Sequence, residues 1–372
     1  MPNPLHASHE KAGAEFQAYG QTPIVLTFGE PQAEYAAIRK SAAIIDLPYR
    51  GILELSGKDR HAFVNNLLTN QVWDKETKKG LSAGQGVYGF FLNTKGRIIS
   101  DMNVLELGER FLLEMDEERI ETVRTAFDKY LFAEQVKMKS LVGAVHELMI
   151  TGPRAAEILQ VADLNQMGSI SRELLGQQVT IFRDDICGVP GYILMIPTAA
   201  AEQFWNHFAQ SQQGDFEDDM RFRGLARPAG WAAFNTTRIE AGRGLFGIDF
   251  DESILPAETG QFDRAVSLTK GCYLGQEIVA RMHARGQVAK KLVGIRMESD
   301  TLPIAGAKIY DEQQNEIGGI TSSTISPVLS NIAICLGYAK KSFFATGTKL
   351  RIPAEGSMRI GHVVELPFLG HS

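Results

Sequence analysis

Apolar and polar positions follow different periods along this chain, and the changes of period predict its elements. In "GVYGFFLNTKGRIISDMNVLELGERFLLEMD" (86–116), apolar runs break at "NTKG" and "LGER", which predicts three strands of a meander. The next stretch, "EERIETVRTAFDKYLF" (117–132), sets Ile120, Val123, Phe127 and Leu131 on one helical face. Upstream, "PQAEYAAIRKSAAIIDL" (31–47) reads as a helix feeding a short strand, and "GILELSG" (51–57) alternates as a strand. Ser56 is placed as the N-cap of a following helix, with Asp59 three residues on. Residues 46–140 therefore carry a β-α-β-β-β-α order, an α+β layer arrangement.

A related order recurs. Strand-like "HELMITG" (146–152) precedes "PRAAEILQVA" (153–162), read as a helix with Pro153 at its first position. Strands "VTIFRDD" (179–185) and "GYILMIP" (191–197) and the helix "AEQFWNHFAQ" follow, then a polar surface connection at 210–219. Helical patterning resumes after it and stops at Gly242 and Gly244. From Val288 onward, short β-rich runs such as "KLVGIRM", "IAICLGYA" and "MRIGHVVELPF" alternate with turns and no helix, which predicts a small barrel or sandwich.

Composition narrows the class of protein. The chain has 372 residues, 44% hydrophobic and 22% charged, with a formal net charge of −6. That length suggests two or three domains, and the acidic balance argues against a dedicated nucleic-acid binder. Cys187, Cys272 and Cys335 are far apart and form no CxxC pair, so neither a disulfide framework nor a zinc site is indicated. Sparse cysteines suit a reducing compartment. No apolar run approaches the length of a membrane span, and the N-terminus resembles no secretory or transit signal. A cytoplasmic protein is expected.

Several residues carry chemistry worth weighing. Asp101 sits on a predicted strand, where its carboxylate is either an acceptor for a ligand's N–H groups or a locally satisfied strand residue. Arg238 in "RIEAGRG" offers a forked cation for a carboxylate ligand or an interdomain ion pair. The acids of "DFDES" (249–253) lack the spacing of a calcium loop and read as a solvated turn. In "KGCYLGQEIVARMHAR", Cys272 lies just before a predicted helix start, with Lys270 nearby. That setting suits a reactive thiol, while free cysteine is equally a packing residue. Arg281 and Arg285 share one face of that helix.

Taken together, these segments resemble a known family. "KGCYLGQEIVAR" is similar to the cysteine signature of the folate-binding YgfZ-type proteins, which group with the glycine-cleavage T-proteins (aminomethyltransferases). "NTKGRIISDMNV", "RIEAGRGLFGIDFDE", "LPAE" and "GGITSSTISPVL" extend the resemblance over about residues 30 to 368. It implies two α+β domains and a C-terminal β-barrel around a central folate-binding hole. The implied boundaries are 1–140 with 223–287, 141–222, and 288–372.

The resemblance also implies roles. Asp101 matches the family's catalytic carboxylate, and Cys272 stands where transferase relatives carry Asp. Tetrahydrofolate or a one-carbon derivative is the implied cofactor. Its contacts fall on Asp101, Tyr88, Asn93, Arg238, Lys270, Gly271, Gln276, Glu277 and Arg281. Transferase relatives read the pterin edge with a Glu; here "DDICGVPGYILMIP" has none, and Asp184 and Asp185 are the nearest acids. That departure and Cys272 favour the YgfZ-type role: support of iron–sulfur protein assembly or repair, including enzymes that modify tRNA, with iron–sulfur client or assembly proteins as partners. The alternative is folate-dependent aminomethyl transfer from a lipoyl carrier protein. No resident metal, no direct nucleic-acid contact and no membrane are expected.

Overall fold

The computed structural model describes residues 3–161, 164–209, 225–285 and 288–370; the connection expected at 210–219 lies outside them. The chain forms two compact units, each assembled from separated pieces. One comprises Met1–Phe63, Gly80–Val87 and Asn103–Phe234, and the other Val64–Lys79, Tyr88–Met102 and Asn235–Ser372.

The first unit holds a six-stranded sheet in the order Ser169–Leu174, Gln177–Arg183, Gly191–Pro197, Val145–Thr151, Ala43–Asp46, Arg227–Pro228. The segment 141–222 thus shares its sheet with strands from either side of it in sequence. Ile44, Leu148, Ile150, Ile181, Leu194 and Ile196 pack with Phe204, Trp205 and Phe208 of the helix Ala201–Ala209. Burying each such side chain contributes about 2 kcal/mol. The predicted meander is present as Gly86–Leu92, Ile98–Glu106 and Arg110–Asp116, beside Arg50–Ser56 and Lys137–Ser140 in a five-stranded sheet. The expected face Ile120, Val123, Phe127 is buried on the helix Ile120–Asp128, and Leu131 lies beyond its end.

Two helix starts differ from expectation. Ser56 is the last residue of its strand, paired with Arg110 and Lys137, and the helix begins at Arg60. Sheet pairing there overrides the weak capping signal. After Pro153 the helix is only Ala155–Leu159, closed by Gln160 in the left-handed region at φ 52°.

Two buried carboxyls of the first unit behave in opposite ways. Asp46 accepts hydrogen bonds from His9 Nε2 at 2.9 Å, His146 Nε2 at 2.7 Å and Asn3 Nδ2 at 2.7 Å. Burial pushes its pKa up, but His146 and His9 together hold it below the carboxylate range. Glu147, 2% exposed, is the opposite case, since neither of its oxygens receives a donor. Burial first, then neighbouring Glu114, raises it well above its ordinary 4.5. Glu114 is itself held by Arg50 and by Asn103 Nδ2 at 2.7 Å. The folded chain therefore favours the protonated form of Glu147 more than the unfolded chain does, and folding takes up protons as pH climbs past 4.5. Wild-type stability is expected to fall with rising pH in that window, by at most about 1.4 kcal/mol per unit. Glu147→Gln removes this dependence and gains stability at pH 7, which urea unfolding from pH 5 to 8 will read. An unchanged slope would count against the protonated carboxyl.

The second unit contains the expected C-terminal barrel. It closes in the order Lys290–Met297, Ile332–Lys340, Glu316–Ser326, Lys308–Tyr310, Lys349–Ala354, Ser357–Val364. Its interior is filled by Val293, Ile295, Ile309, Ile320, Cys335, Leu350, Ile352 and Val363. Cys335 is packing, and burial pushes its thiol up to about 12. Gly318 admits no side chain, because a Cβ there would lie 1.8 Å from the Tyr338 carbonyl oxygen.

Candidate functional site

All the residues expected to form the site lie in the second unit. Asp101 stands on the strand Ile98–Glu106, half-exposed between buried Ser100 and Met102. Alternation along the strand sends Ile98 and Ser100 inward and leaves Asp101 on the other face. Tyr88, buried on the strand Gly86–Leu92, donates its hydroxyl to Asp101 Oδ2 at 2.9 Å. Its ring sits edge-on to Phe90 at 5.5 Å. One carboxylate oxygen is thus oriented by a fixed phenol.

The "NTKG" turn joins these strands. Asn93 Oδ1 accepts from the main-chain N–H of Lys95 at 2.9 Å and Arg97 at 3.1 Å, so the amide oxygen serves the turn. A second turn locks into it. Gly275, at φ +80°, has room for no Cβ, which would sit 2.8 Å from the Asn93 carbonyl oxygen. Gly96, at φ +72°, faces Ile278 Cβ at 2.9 Å in the same sense. Segments almost two hundred residues apart therefore meet through paired glycines.

The cysteine motif is buried at Lys270 and Tyr273 and exposed between them. Lys270 is buried and donates to the carbonyl oxygens of Asn65 at 2.7 Å, Leu68 at 2.5 Å and Asn70 at 2.7 Å. These carbonyls belong to the end of the helix Arg60–Leu67 and the turn after it, where a cation is favoured. Burial, then nearby Lys75, presses the ammonium down to about 7. The three acceptors, one for each ammonium proton, work against that and favour the charged form. Tyr273 is buried also, its hydroxyl raised to about 12 by burial. Gly271 and Cys272 between them are exposed. The helix Gln276–Arg285 follows, with Gln276 half-buried and Glu277 and Arg281 exposed.

Two cations expected at the ligand are committed elsewhere. Lys270 holds main-chain carbonyls. Arg238 is fully buried and paired with Asp249 at 2.5 Å, with further donations to Ser322 Oγ at 2.6 Å, Asn235 Oδ1 at 2.9 Å and the Arg243 carbonyl at 3.1 Å. Asp249, read from sequence as part of a solvated turn, is 2% exposed as the partner of this cation. In the first unit, Asp185 is engaged by Arg183 and by the Gly191 N–H, and Asp184 accepts from Gln166. Among the described residues no cluster of three His, Cys, Asp or Glu could hold a metal. No described helix is long and apolar enough to cross a membrane.

Sequence reading passed over Asn70, Thr69 and Arg264. Asn70 Nδ2 donates to the carbonyls of both Tyr88 at 2.8 Å and Arg264 at 3.0 Å. The polar "TNQ" directly after an apolar helix end was the available signal.

The closed barrel and the α+β sheets that precede it agree with what comparison shows. The GCVT N-terminal domain matches residues 5–270 and the glycine cleavage T-protein C-terminal barrel domain matches residues 290–369. The chain belongs to the glycine cleavage T-protein family. It is 26% identical over 373 residues to an aminomethyltransferase of Chloroherpeton thalassium, covering 98% of both chains. It is 28% identical to an aminomethyltransferase of Moorella thermoacetica, covering 98% of this chain and 96% of that one. The crystal structure of glycine cleavage system aminomethyltransferase T from Bartonella henselae superposes with a TM-score of 0.85 at 23% identity, covering 100% and 98% of the chains, and shares the fold.

Proposed function

We propose that this chain binds tetrahydrofolate, or a one-carbon derivative of it, and carries out aminomethyl transfer from a lipoyl carrier protein. The observation that carries this reading is the half-exposed Asp101 with one oxygen fixed by Tyr88, in a chain aligned nearly end to end with aminomethyltransferases. When bound, tetrahydrofolate supplies the amine that accepts the one-carbon unit. The residues present fit that part of the ligand. Asp101 accepts an N–H bond, orients the amine and takes up its proton as the new bond forms. Gln276, Glu277 and Arg281 line the helix that follows the cysteine motif and are proposed as further contacts. Arg238 and Lys270 are occupied, so the ligand's carboxylate tail needs another cation.

Ammonia release from an aminomethylated lipoyl carrier in the presence of tetrahydrofolate tests the reaction. Asp101→Asn is expected to lower turnover by about 10²–10⁴-fold while calorimetry still shows folate binding. Turnover equal to wild type in that variant would remove Asp101 from the chemistry.

The exposed thiol supports a second reading. Cys187 and Cys335 are buried, whereas Cys272 is held outward between two buried anchors. This display suits the YgfZ-type role in iron–sulfur protein assembly or repair, in which the thiol meets a partner. Cys272→Ser in a deletion strain should then fail to restore iron–sulfur enzyme activities. Full restoration would reject that role.

A further inference from the structure

We infer that Arg264 is a positioning residue of this site, acting on Asp101 through the ring of Tyr88. The role rests on the one-carbon reading above, in which Asp101 accepts the ligand's N–H groups. Arg264 belongs to none of the motifs that resemble the family. It lies in the short helix Phe262–Ala265. Its guanidinium carbon is 3.9 Å from the centroid of the Tyr88 ring, a stacking distance for a planar cation on an aromatic face. The far edge of that ring carries the hydroxyl that donates to Asp101 Oδ2 at 2.9 Å.

Neither partner of the stack is loosely held. The Asn70 amide bonds both main-chain carbonyls, at Tyr88 and at Arg264. Thr69 Oγ1 donates to the Ala265 carbonyl at 2.7 Å and accepts the Phe90 N–H at 2.8 Å. Residues 69–70 therefore clip the strand and the helix to one spacing. Arg264 Nη1 also donates to Gln261 Oε1 at 3.3 Å, and Gln261 Nε2 is bonded to the Gly244 carbonyl at 2.8 Å. The guanidinium plane is fixed from its side as well.

The consequence is electronic. A cation over the ring face draws π density away from the phenol oxygen. The O–H becomes a stronger donor, and its charge-assisted bond to the carboxylate tightens. Asp101 is then held in one orientation, ready to accept from a ligand. The Tyr88 hydroxyl reaches Asp101 from the neighbouring strand, and Arg264 stacks on the ring of the same tyrosine from its helix.

The test uses the ligand-free full chain. Aspartate labelled at the carboxyl carbon is titrated by NMR, with Asp101 assigned from Asp101→Asn. Arg264→Met, which keeps an unbranched apolar stem but removes the charged plane, is expected to raise the Asp101 midpoint by about one pH unit. Arg264→Lys, which keeps the charge but not the plane, should restore part of that shift. In a Tyr88→Phe background, Arg264→Met should leave the midpoint where Tyr88→Phe alone puts it. Thermal melting of each variant confirms folding. A midpoint that stays at the wild-type value in Arg264→Met overturns the linkage. An equal rise with and without the Tyr88 hydroxyl overturns the route through the ring. Absence of tetrahydrofolate binding by the wild type, with the titration shift intact, would remove the proposed reaction and leave the linkage standing.

Discussion

Replacing Asp249 with alanine is expected to lower the stability of the second unit by about 3–5 kcal/mol, the cost of stranding a buried charge. Arg238 and Asp249 are both 0% exposed in their side chains, so the lost partner is not exchanged for bulk solvent. Asp249 Oδ1 also accepts from Thr321 at 2.6 Å and Ser322 at 2.7 Å, and Oδ2 from the Leu245 N–H at 3.0 Å. The alanine variant also strips the Ser322 hydroxyl and the Leu245 N–H of this acceptor, while Thr321 keeps the Leu336 carbonyl at 3.2 Å. Arg238→Met with Asp249→Leu replaces the pair by apolar groups and is expected to recover at least half of the loss. Urea unfolding of the three proteins measures both statements. A loss below about 1 kcal/mol on Asp249→Ala would mean that the pair is dispensable.

Lys270→Met is expected to cost about 3 kcal/mol, because three carbonyl oxygens lose a charged donor together. The methionine chain fills the same channel, so the change isolates the hydrogen bonds from the packing. Arginine should not rescue it, since a planar fork cannot address three acceptors gathered around one point. Hydrogen exchange gives a local readout. Amides of Gly271 to Leu274 should exchange faster in the variant, including the Leu274 N–H that now bonds the Asn66 carbonyl at 3.1 Å. Unaltered exchange there would show that Tyr273 alone holds the turn.

Both residues illustrate what could be read from the chain and what could not. The barrel was legible because strand alternation and turn residues are local signals, as in "TKLRI", where Leu350 and Ile352 point inward. The meander and the face Ile120, Val123, Phe127 were legible for the same reason. Lys270 and Arg238 were found by their motifs, yet the direction of each side chain was hidden. Their partners, the carbonyls of 65–70 and the carboxylate of Asp249, are supplied by tertiary packing. "DFDES" looked solvated because its charges are dense, and only the fold shows that Asp249 turns inward. Asp101 was a candidate from its strand position and took its catalytic role from the resemblance, while its bond to Tyr88 required the pairing of two strands.

The interlocked turns around Gly96 and Gly275 bear on engineering. Each glycine leaves space that the other turn fills, so the two loops form a single interchangeable part although they are distant in sequence. A chimaera that takes 273–278 from a relative while keeping its own 93–97 sets a side chain against a backbone carbonyl unless both halves match. Segment exchange among these proteins should therefore carry the two loops together, and libraries that randomise one should include the other.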